Sequence, residues 1–252
     1  QALGGMSGTV GVYNYKTGEI LCMVSTPTFD PADPPNIDPD DPAGDGVYVN
    51  RLLSANSIPG SIFKVVTLNA AIENIPDLFT RSWNCTGSVE IGGDVVTCPY
   101  AHGEQDIEDA LANSCNGVFG QLAVELGGDT MQKYTDAAGL TESIKVDGIN
   151  TSEGHFNFDG NDNQLAWAGV GQGEDTMCPI NMMLYMGAIA NGGKAAMPRL
   201  IEKSTTEYGL PTGLYFAHKS SKLIEEDTAE TISDMMHNNV IETYGQDRFP
   251  GM

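Results

Sequence analysis

The sequence predicts an α+β fold, with an antiparallel sheet beside a mainly helical region. Residues 8–25 alternate apolar and polar side chains around a central turn, which is typical of two antiparallel strands. Residues 85–98 have the composition of a further hairpin, which turns at Gly92 and Gly93. Elsewhere apolar residues recur at intervals of three and four, the period of a helix that buries one face. The strands therefore come first, the helices dominate the middle, and no strands are predicted after them.

Helical periodicity or helix-ending residues mark five segments, which are 62–74, 106–114, 117–140 with a break at Gly127-Gly128, 176–193 and 225–242. In the fourth segment, Pro179 suits a first helical turn and Gly192-Gly193 suit the end. The Met-rich face of this segment is typical of a core contact. Residues 141–163 are polar and rich in glycine and show no clear period, so no element is predicted there.

An acidic, proline-rich segment follows the first two predicted strands. Between Asp30 and Asp45 it carries six Asp and five Pro, and proline excludes a helix or a central strand. The spacing and the closing Glu of an EF-hand are absent from it. A solvated surface loop is therefore predicted rather than a calcium site.

The charge balance is strongly acidic. Twelve basic residues against 34 acidic ones give a formal net charge of −22. Such a chain repels nucleic-acid phosphates and anionic lipid, so neither is expected as a partner. The sequence has no apolar run of 18 or more residues and no basic-then-apolar N-terminal segment. Neither a membrane span nor a signal peptide is therefore predicted within it.

The five cysteines are Cys22, Cys85, Cys98, Cys115 and Cys178. No two of them form a Cys-x-x-Cys pair, which disfavours a zinc ribbon or a thioredoxin motif. Folding of the predicted hairpin 85–98 brings Cys85 and Cys98 near each other. A disulfide in an oxidising compartment and two free thiols fit this pattern equally well.

The strongest candidate for chemistry is a Ser-x-x-Lys motif formed by Ser61 and Lys64. Pro59-Gly60 makes a turn before it, and a spacing of three puts both side chains on one helix face, about 5 to 6 Å apart at their β-carbons. A serine hydroxyl needs a base to become a nucleophile, and a lysine is such a base where apolar burial lowers its pKa. The alternative is a helix-capping serine followed by a lysine with no chemical role.

A second candidate, Ser114-Cys115-Asn116, fits the pattern Ser-x-Asn and begins 53 residues after Ser61. Serine and asparagine at a helix end are also common caps, so this triplet alone does not indicate catalysis. The presence of both motifs, in this order, favours the catalytic interpretation.

Several sequence blocks, taken in order, resemble one enzyme family. They are SGTVGVYNYKTGEILCMVSTPTFDP (7–31), PGSIFK (59–64), YAHGEQDIEDALANSCNGVF (100–119), GVGQGEDTMCPINMMLYMGAIANGGKAAMPRLI (169–201) and ISDMMHNNVIETYG (232–245). Together they resemble the transpeptidase domain of class B penicillin-binding proteins, the FtsI-like enzymes that cross-link peptidoglycan. The resemblance implies the fold shared by serine β-lactamases and penicillin-binding-protein transpeptidases, in one domain spanning residues 1–252.

The same resemblance implies a role for each matching side chain. Ser61 would be the nucleophile that attacks the penultimate D-alanine of a stem peptide, and Lys64 would be its base. Ser114 would relay a proton toward the leaving amine, while Asn116 would hold Lys64 and contact the substrate amide. The family requires no metal and no organic cofactor.

The implied partners are peptidoglycan stem peptides ending in D-Ala-D-Ala, β-lactam antibiotics, and other cell-wall synthesis proteins. Contact with those proteins would run through a pedestal domain and a membrane anchor outside this chain, on the extracytoplasmic face of the bacterial membrane. A D,D-carboxypeptidase or β-lactamase of the same fold stays open as an alternative, as does a non-catalytic β-lactam sensor or scaffold. Within the family match, His102 is interpreted as structural and Cys115 as a spectator thiol.

The family also uses a Lys-Thr-Gly motif on an active-site strand. Lys16-Thr17-Gly18 spells that motif but precedes Ser61 by 45 residues and lies between two predicted strands, so we interpret it as a hairpin turn. The family places the functional motif far downstream of Ser-x-Asn. We therefore expect that motif, the remaining strands and a C-terminal helix to lie beyond Met252, and residues 1–252 alone to be weakly active or inactive.

Overall fold

The computed structural model describes residues 3, 5–36, 46–158, 160–214 and 216–248. In these residues the helices are, in chain order, α1 Lys64–Asn74, α2 Ile107–Ala112, α3 Asn116–Leu126, α4 Gly128–Ala137, α5 Asp162–Val170, α6 Pro179–Ile189 and α7 Glu226–Asn238. The strands are β1 Gly8–Tyr13, β2 Ile20–Thr26, β3 Trp83–Cys85, β4 Ser88–Ile91, β5 Asp94–Thr97, β6 Gly103–Gln105, β7 Lys145–Val146, β8 Ile149–Asn150, β9 Lys203–Thr205 and β10 Pro211–Leu214. Helices and antiparallel strands occur together, so the predicted α+β class is confirmed.

The predicted antiparallel sheet is divided into two-stranded pairs. In the described residues these pairs are β1–β2, β3–β6, β4–β5, β7–β8 and β9–β10. The β4–β5 pair is the predicted hairpin, in which Ile91 lies opposite Asp94 and Gly92-Gly93 form the turn. Since β3 pairs with β6, the chain segments before and after this hairpin are also held side by side.

Lys16-Thr17-Gly18 lies in the turn between β1 and β2. The carbonyl oxygen of Asn14 accepts hydrogen bonds from the N–H groups of Thr17, at 3.2 Å, and Gly18, at 2.8 Å. Gly18 has a φ of +80°, and a β-carbon there would overlap the carbonyl oxygen of Met197. Glycine is therefore required at this position, and the interpretation of the tripeptide as a hairpin turn is confirmed.

Helix α1 lies at the centre of the helical region, where it contacts α3, α4, α5 and α7. Its buried residues run without a break from Lys64 to Ala71, because neighbouring helices surround it instead of covering a single stripe. Phe63, directly before α1, stacks on Phe156 with ring centroids 5.7 Å apart. The segment that carries Ser61 and Lys64 is thus anchored in the core.

The predicted helices are all present, but one further helix and several strands were missed. Helix α5 overlaps the end of the segment for which no element was predicted, and Leu165, Ala166 and Ala168 are all buried in it. Because α5 is buried on several faces, its apolar residues do not form the single stripe, at intervals of three and four, that marks a helix with one buried face. Strands β9 and β10 follow α6, so the prediction that no strands follow the helical middle is wrong. Strand β9 is polar and largely exposed, and no alternating apolar pattern marks it.

Part of the acidic segment predicted as a surface loop lies outside the described residues, which leave out 37–45. That prediction is untested there. None of the described helices combines the length and the apolar composition that a membrane-spanning helix needs.

Candidate active site

Ser61 lies on a 3₁₀ turn, Gly60–Phe63, that leads directly into α1. The N–H of Gly60 donates to the carbonyl oxygen of Gly171, at 2.8 Å. Gly171 follows α5 in the left-handed conformation, with a φ of +80°, and a β-carbon there would overlap the Gly60 carbonyl oxygen. The close approach of two glycines therefore fixes the turn that carries Ser61 against the end of α5.

Lys64, the first residue of α1, brings the predicted site residues together. Its side chain is buried, with 1% exposure, and its Nζ lies 3.1 Å from Ser61 Oγ and 2.9 Å from Ser114 Oγ. Nζ also donates to the carbonyl oxygen of Ser114, at 2.6 Å, and to Asn116 Oδ1, at 2.7 Å. Two motifs 53 residues apart in the sequence thus meet at one amine.

The surroundings of Lys64 favour its neutral form. Burial lowers the pKa of this amine to about 8, against smaller opposing effects of Cys115 and Cys98. The ring centroid of Phe119 lies 5.9 Å from Nζ. In the described part of the chain, the ion pairs join other side chains and not Lys64. The amine therefore has polar partners but no carboxylate to hold its proton.

The Ser-Cys-Asn turn joins α2 to α3 with an unusual backbone. Ser114 has a φ of +51°, a left-handed conformation that costs a residue other than glycine about 1–2 kcal/mol. Cys115 is fully buried and precedes Asn116, the first residue of α3. The Nδ2 of Asn116 donates to the carbonyl oxygen of Thr97, at 2.8 Å. This bond fixes the amide so that Oδ1 faces Lys64.

Ser61 and Ser114 line an open cleft of about 710 Å³. Met182, Met183 and Met186 of α6 also line this cleft. Met182 is buried, whereas the other two are half-buried. The Met-rich face that was predicted as core therefore serves partly as core and partly as the apolar wall of the cleft.

A second cluster beside this site was missed by the sequence analysis. It consists of Cys85, Cys98, His102 and Cys115, whose potential ligand atoms all lie within 4.8 Å of one another. The cysteines are free thiols, so Cys85 and Cys98 do not form a disulfide in this structure. The pairing of strands β4 and β5 and the contact of Asn116 with Thr97 bring these residues together. The predicted hairpin already placed Cys85 near Cys98, but it gave no signal for His102 or Cys115, which lie outside it.

His102 is poorly partnered in this cluster. Both of its ring nitrogens are buried without a hydrogen-bond partner. Burial, and then the positive charge of Lys64, hold the pKa of His102 below its ordinary value, so the ring is neutral near pH 7. Burial also raises the pKa of Cys115 to about 11. The thiol form of Cys115 is therefore favoured over the thiolate.

Comparison with known proteins gives consistent matches. Residues 8–252 match the family model described as the penicillin binding protein transpeptidase domain. The chain is 30% identical to Stage V sporulation protein D of Bacillus subtilis over 94% of this chain and 36% of that protein. It is 25% identical to the peptidoglycan D,D-transpeptidase PbpA of Mycolicibacterium smegmatis over 91% of this chain and 50% of that protein. The chain thus spans half or less of the length of these curated relatives.

Solved structures share the fold. The D,D-transpeptidase domain of a peptidoglycan glycosyltransferase from Eggerthella lenta superposes with a TM-score of 0.84 at 26% identity, covering 100% of this chain and 65% of that one. Penicillin-binding protein A from M. tuberculosis, solved as an acyl-enzyme complex with penicillin G, gives a TM-score of 0.83 at 22% identity over 92% of this chain and 57% of that one. The predicted transpeptidase-type fold is therefore confirmed. The chain belongs to the family of penicillin-binding-protein transpeptidase domains.

Proposed function

We propose that this chain carries a penicillin-binding D,D-transpeptidase that cross-links peptidoglycan stem peptides through an acyl-enzyme at Ser61. The observation that carries the proposal is the buried Lys64 amine, which lies within hydrogen-bonding distance of Ser61, Ser114 and Asn116. A nucleophile next to a base, with further groups that orient the base, is the arrangement that acyl transfer to serine requires.

The hydrogen bonds around Lys64 support its action as a base. Two of its partners, the Ser114 carbonyl oxygen and Asn116 Oδ1, can only accept hydrogen bonds. A neutral amine has two N–H groups, which satisfy these two acceptors and leave the nitrogen lone pair for a hydroxyl proton. Ser61 Oγ, at 3.1 Å, is one of the two hydroxyls in reach. The fixed acceptors therefore direct the lone pair of a neutral Lys64 toward the serines.

In the proposed acylation step, Lys64 takes the proton of Ser61 while Oγ attacks the carbonyl carbon of the penultimate D-alanine. The new Oγ–C bond forms as the C–N bond to the terminal D-alanine breaks. Ser114 Oγ lies 2.9 Å from the same amine, so it can pass the proton from Lys64 to the leaving nitrogen. The terminal D-alanine departs with a free amino group, and the acyl group stays on Ser61 as an ester.

In the second step, the amine of another stem peptide attacks the acyl ester, restores Ser61 and forms the cross-link. A β-lactam would use the first step only, because its ring opens onto Ser61 without releasing a fragment that makes room for the acceptor. The M. tuberculosis relative of the same fold is an acyl-enzyme with penicillin G, which supports this reading. Such chemistry belongs on the extracytoplasmic face of the membrane, where peptidoglycan is assembled.

Labelling with a fluorescent penicillin tests the proposal on the protein as its complete gene encodes it. We expect the label to attach to the peptide that contains Ser61 and to be lost in Ser61→Ala. Ser57→Ala removes an exposed serine four residues upstream and is the matched control, which should label like the wild type. Label that remains in Ser61→Ala would contradict the assignment.

A stem-peptide donor tests whether the acyl group is transferred to an amine or to water. A transpeptidase forms more cross-linked product as an amine acceptor is added, whereas a carboxypeptidase releases the hydrolysed donor alone. Rapid loss of the penicillin label would indicate a β-lactamase. A stable label without any turnover of the donor would indicate a sensor or scaffold.

A further inference from the structure

A cavity of about 130 Å³ lies beside α6 and is distinct from the cleft that Ser61 lines. Its walls come from the end of α4, the loop that follows, α6 itself and residues within 195–197 and 220–223. The two cavities share no lining residue, since Asn181 and Leu184 line this one whereas Met182 and Met183 line the cleft. We call this second space the α6 cavity.

Asn181 brings an unpartnered hydrogen-bond acceptor to the α6 cavity. The residue is 2% exposed, and its Nδ2 donates to the carbonyl oxygens of Gly139, at 2.7 Å, and Glu142, at 2.8 Å. These two bonds use both N–H groups of the amide and so determine which end is the oxygen. Oδ1 is buried and has no hydrogen-bond partner among the described residues. A ligand with an N–H group would recover the free energy that such an acceptor costs.

Glu142 adds a negative charge to the same cavity. The residue is exposed, so the cavity reaches solvent on this side. Its Oε1 lies 3.4 Å from the place that a β-carbon would take on Gly139, the residue whose carbonyl oxygen accepts from Asn181. In the described part of the chain, Glu142 takes part in none of the ion pairs. Lys222, next to the lining residue Ser221, pairs instead with Glu225, at 2.6 Å.

Apolar side chains form much of the remaining wall, among them Ile144, Leu184, Ala195 and Leu223. Water fills such a space poorly, because each buried water needs two to four polar partners. An apolar cavity of roughly 150 Å³ holds a benzene molecule. The α6 cavity, at about 130 Å³, therefore has room for a ligand of up to about six non-hydrogen atoms.

We propose that the α6 cavity binds a short primary alkylamine in its ammonium form. A primary alkylamine is protonated at neutral pH, as the lysine side chain is. Its three N–H donors suit Asn181 Oδ1 and the Glu142 carboxylate, while its alkyl chain removes apolar wall from water. An anion would be repelled by the carboxylate, and a hydrocarbon would leave Oδ1 unpartnered. The proposal does not depend on the proposed function, because its test measures binding away from Ser61.

A titration of the wild-type protein, produced from its complete gene, with n-butylammonium chloride tests the proposal. Followed by methyl NMR, it should give saturable shifts at Leu184 and Leu223, which line the α6 cavity, and none at Met183 and Met186, which line the cleft. Tetramethylammonium chloride has the same charge but no N–H donor. It controls for general attraction to this acidic chain and should give no saturable shift.

Variants then test the two chemical parts of the site. Glu142→Gln should weaken n-butylammonium binding by roughly two- to fivefold, as expected for the loss of an exposed ion pair. Glu90→Gln makes the same change on β4, outside the cavity, and is the matched control. Leu184→Phe should fill the cavity and abolish binding. Since this variant replaces a buried side chain, the wild-type titration covers the case in which it does not fold.

A blocked lysine, Nα-acetyllysine methylamide, distinguishes two sources of the ammonium group. Binding as tight as that of n-butylammonium would identify a lysine side chain of a partner, and weaker binding a free amine. Four results would overturn the proposal: shifts that do not saturate, equal shifts with tetramethylammonium, shifts confined to the cleft, or wild-type affinity in Glu142→Gln.

Discussion

Two buried polar clusters share the turn between α2 and α3, and they differ in how well their atoms are partnered. Ser114 and Asn116 join the Lys64 cluster, where the amine contacts the hydroxyls of Ser61 and Ser114 and the amide oxygen of Asn116. Cys115, between them, joins a cluster in which both nitrogens of His102 have no partner. A buried polar group without a partner costs free energy, so the first cluster is complete as it stands and the second is not.

This difference indicates different uses for neighbouring residues. The amine of Lys64 lies within hydrogen-bonding distance of two hydroxyls, which is the arrangement that the proposed general base catalysis needs. The thiol–imidazole cluster of Cys85, Cys98, His102 and Cys115 instead brings three sulfur atoms and one imidazole ring within 4.8 Å of one another. Because both depend on one turn, a change that deforms Cys115 also moves the Ser114 carbonyl oxygen, which accepts a hydrogen bond from Lys64 at 2.6 Å.

The largest effect is expected from replacing Lys64, which lies at the centre of the Lys64 cluster. Lys64→Met keeps the length of the side chain but removes the base, so we expect acylation by a β-lactam to slow by about 10²- to 10⁴-fold. Lys64→Arg keeps the positive charge, but a guanidinium group stays protonated at neutral pH and cannot act as a base. This variant should therefore slow acylation to a similar degree. The second-order rate of labelling with fluorescent penicillin measures both. A Lys64→Arg variant that acylates at the wild-type rate would refute the role of Lys64 as a base.

The next effect concerns another buried group with an unpartnered atom, Asp175. Its Oδ1 accepts the N–H of Asn157, at 2.8 Å, whereas Oδ2 has no partner. Among the described residues it belongs to no group of potential metal ligands. Burial, only partly offset by the Asn157 N–H, raises its pKa to about 7. We therefore expect a proton to neutralise this carboxylate below about pH 7.

The sign of the resulting pH dependence follows from this raised pKa. Between its ordinary value of 3.8 and about 7, the folded chain keeps a proton that the unfolded chain releases, so the free energy of unfolding falls as pH rises. Asp175→Asn resembles the protonated form at every pH. It should match the wild type near pH 4 and exceed its stability at pH 8 by up to roughly 4 kcal/mol. Urea unfolding at several pH values measures this difference, and parallel profiles of the two proteins would contradict it.

The sequence predicted those parts of the fold and site that depend on local spacing. The Ser-x-x-Lys spacing places Ser61 and Lys64 together in any helix, and the Gly92-Gly93 turn identifies its hairpin. Helix α5 was missed because residues such as Leu165 and Ala168 are buried without forming a stripe. The grouping of Cys115 with His102 depends on strand pairing and on the fold of the turn, which spacing along the chain does not encode. The meeting of Ser114 with Lys64 was expected only through the family resemblance.

The smallest effect is expected from substitutions of Ser114 that test the backbone conformation of the shared turn. Ser114→Gly and Ser114→Ala both remove the hydroxyl, but only glycine adopts the φ of +51° without strain. The left-handed penalty of about 1–2 kcal/mol exceeds the entropy that glycine adds to the unfolded chain, so the glycine variant should be more stable by about 1 kcal/mol. The same pair of substitutions at Ser57, which does not have a positive φ, should give no such advantage to glycine. Equal free energies of unfolding for the two Ser114 variants would mean that the turn relaxes without cost, and that the two clusters are less tightly coupled through it than the geometry indicates.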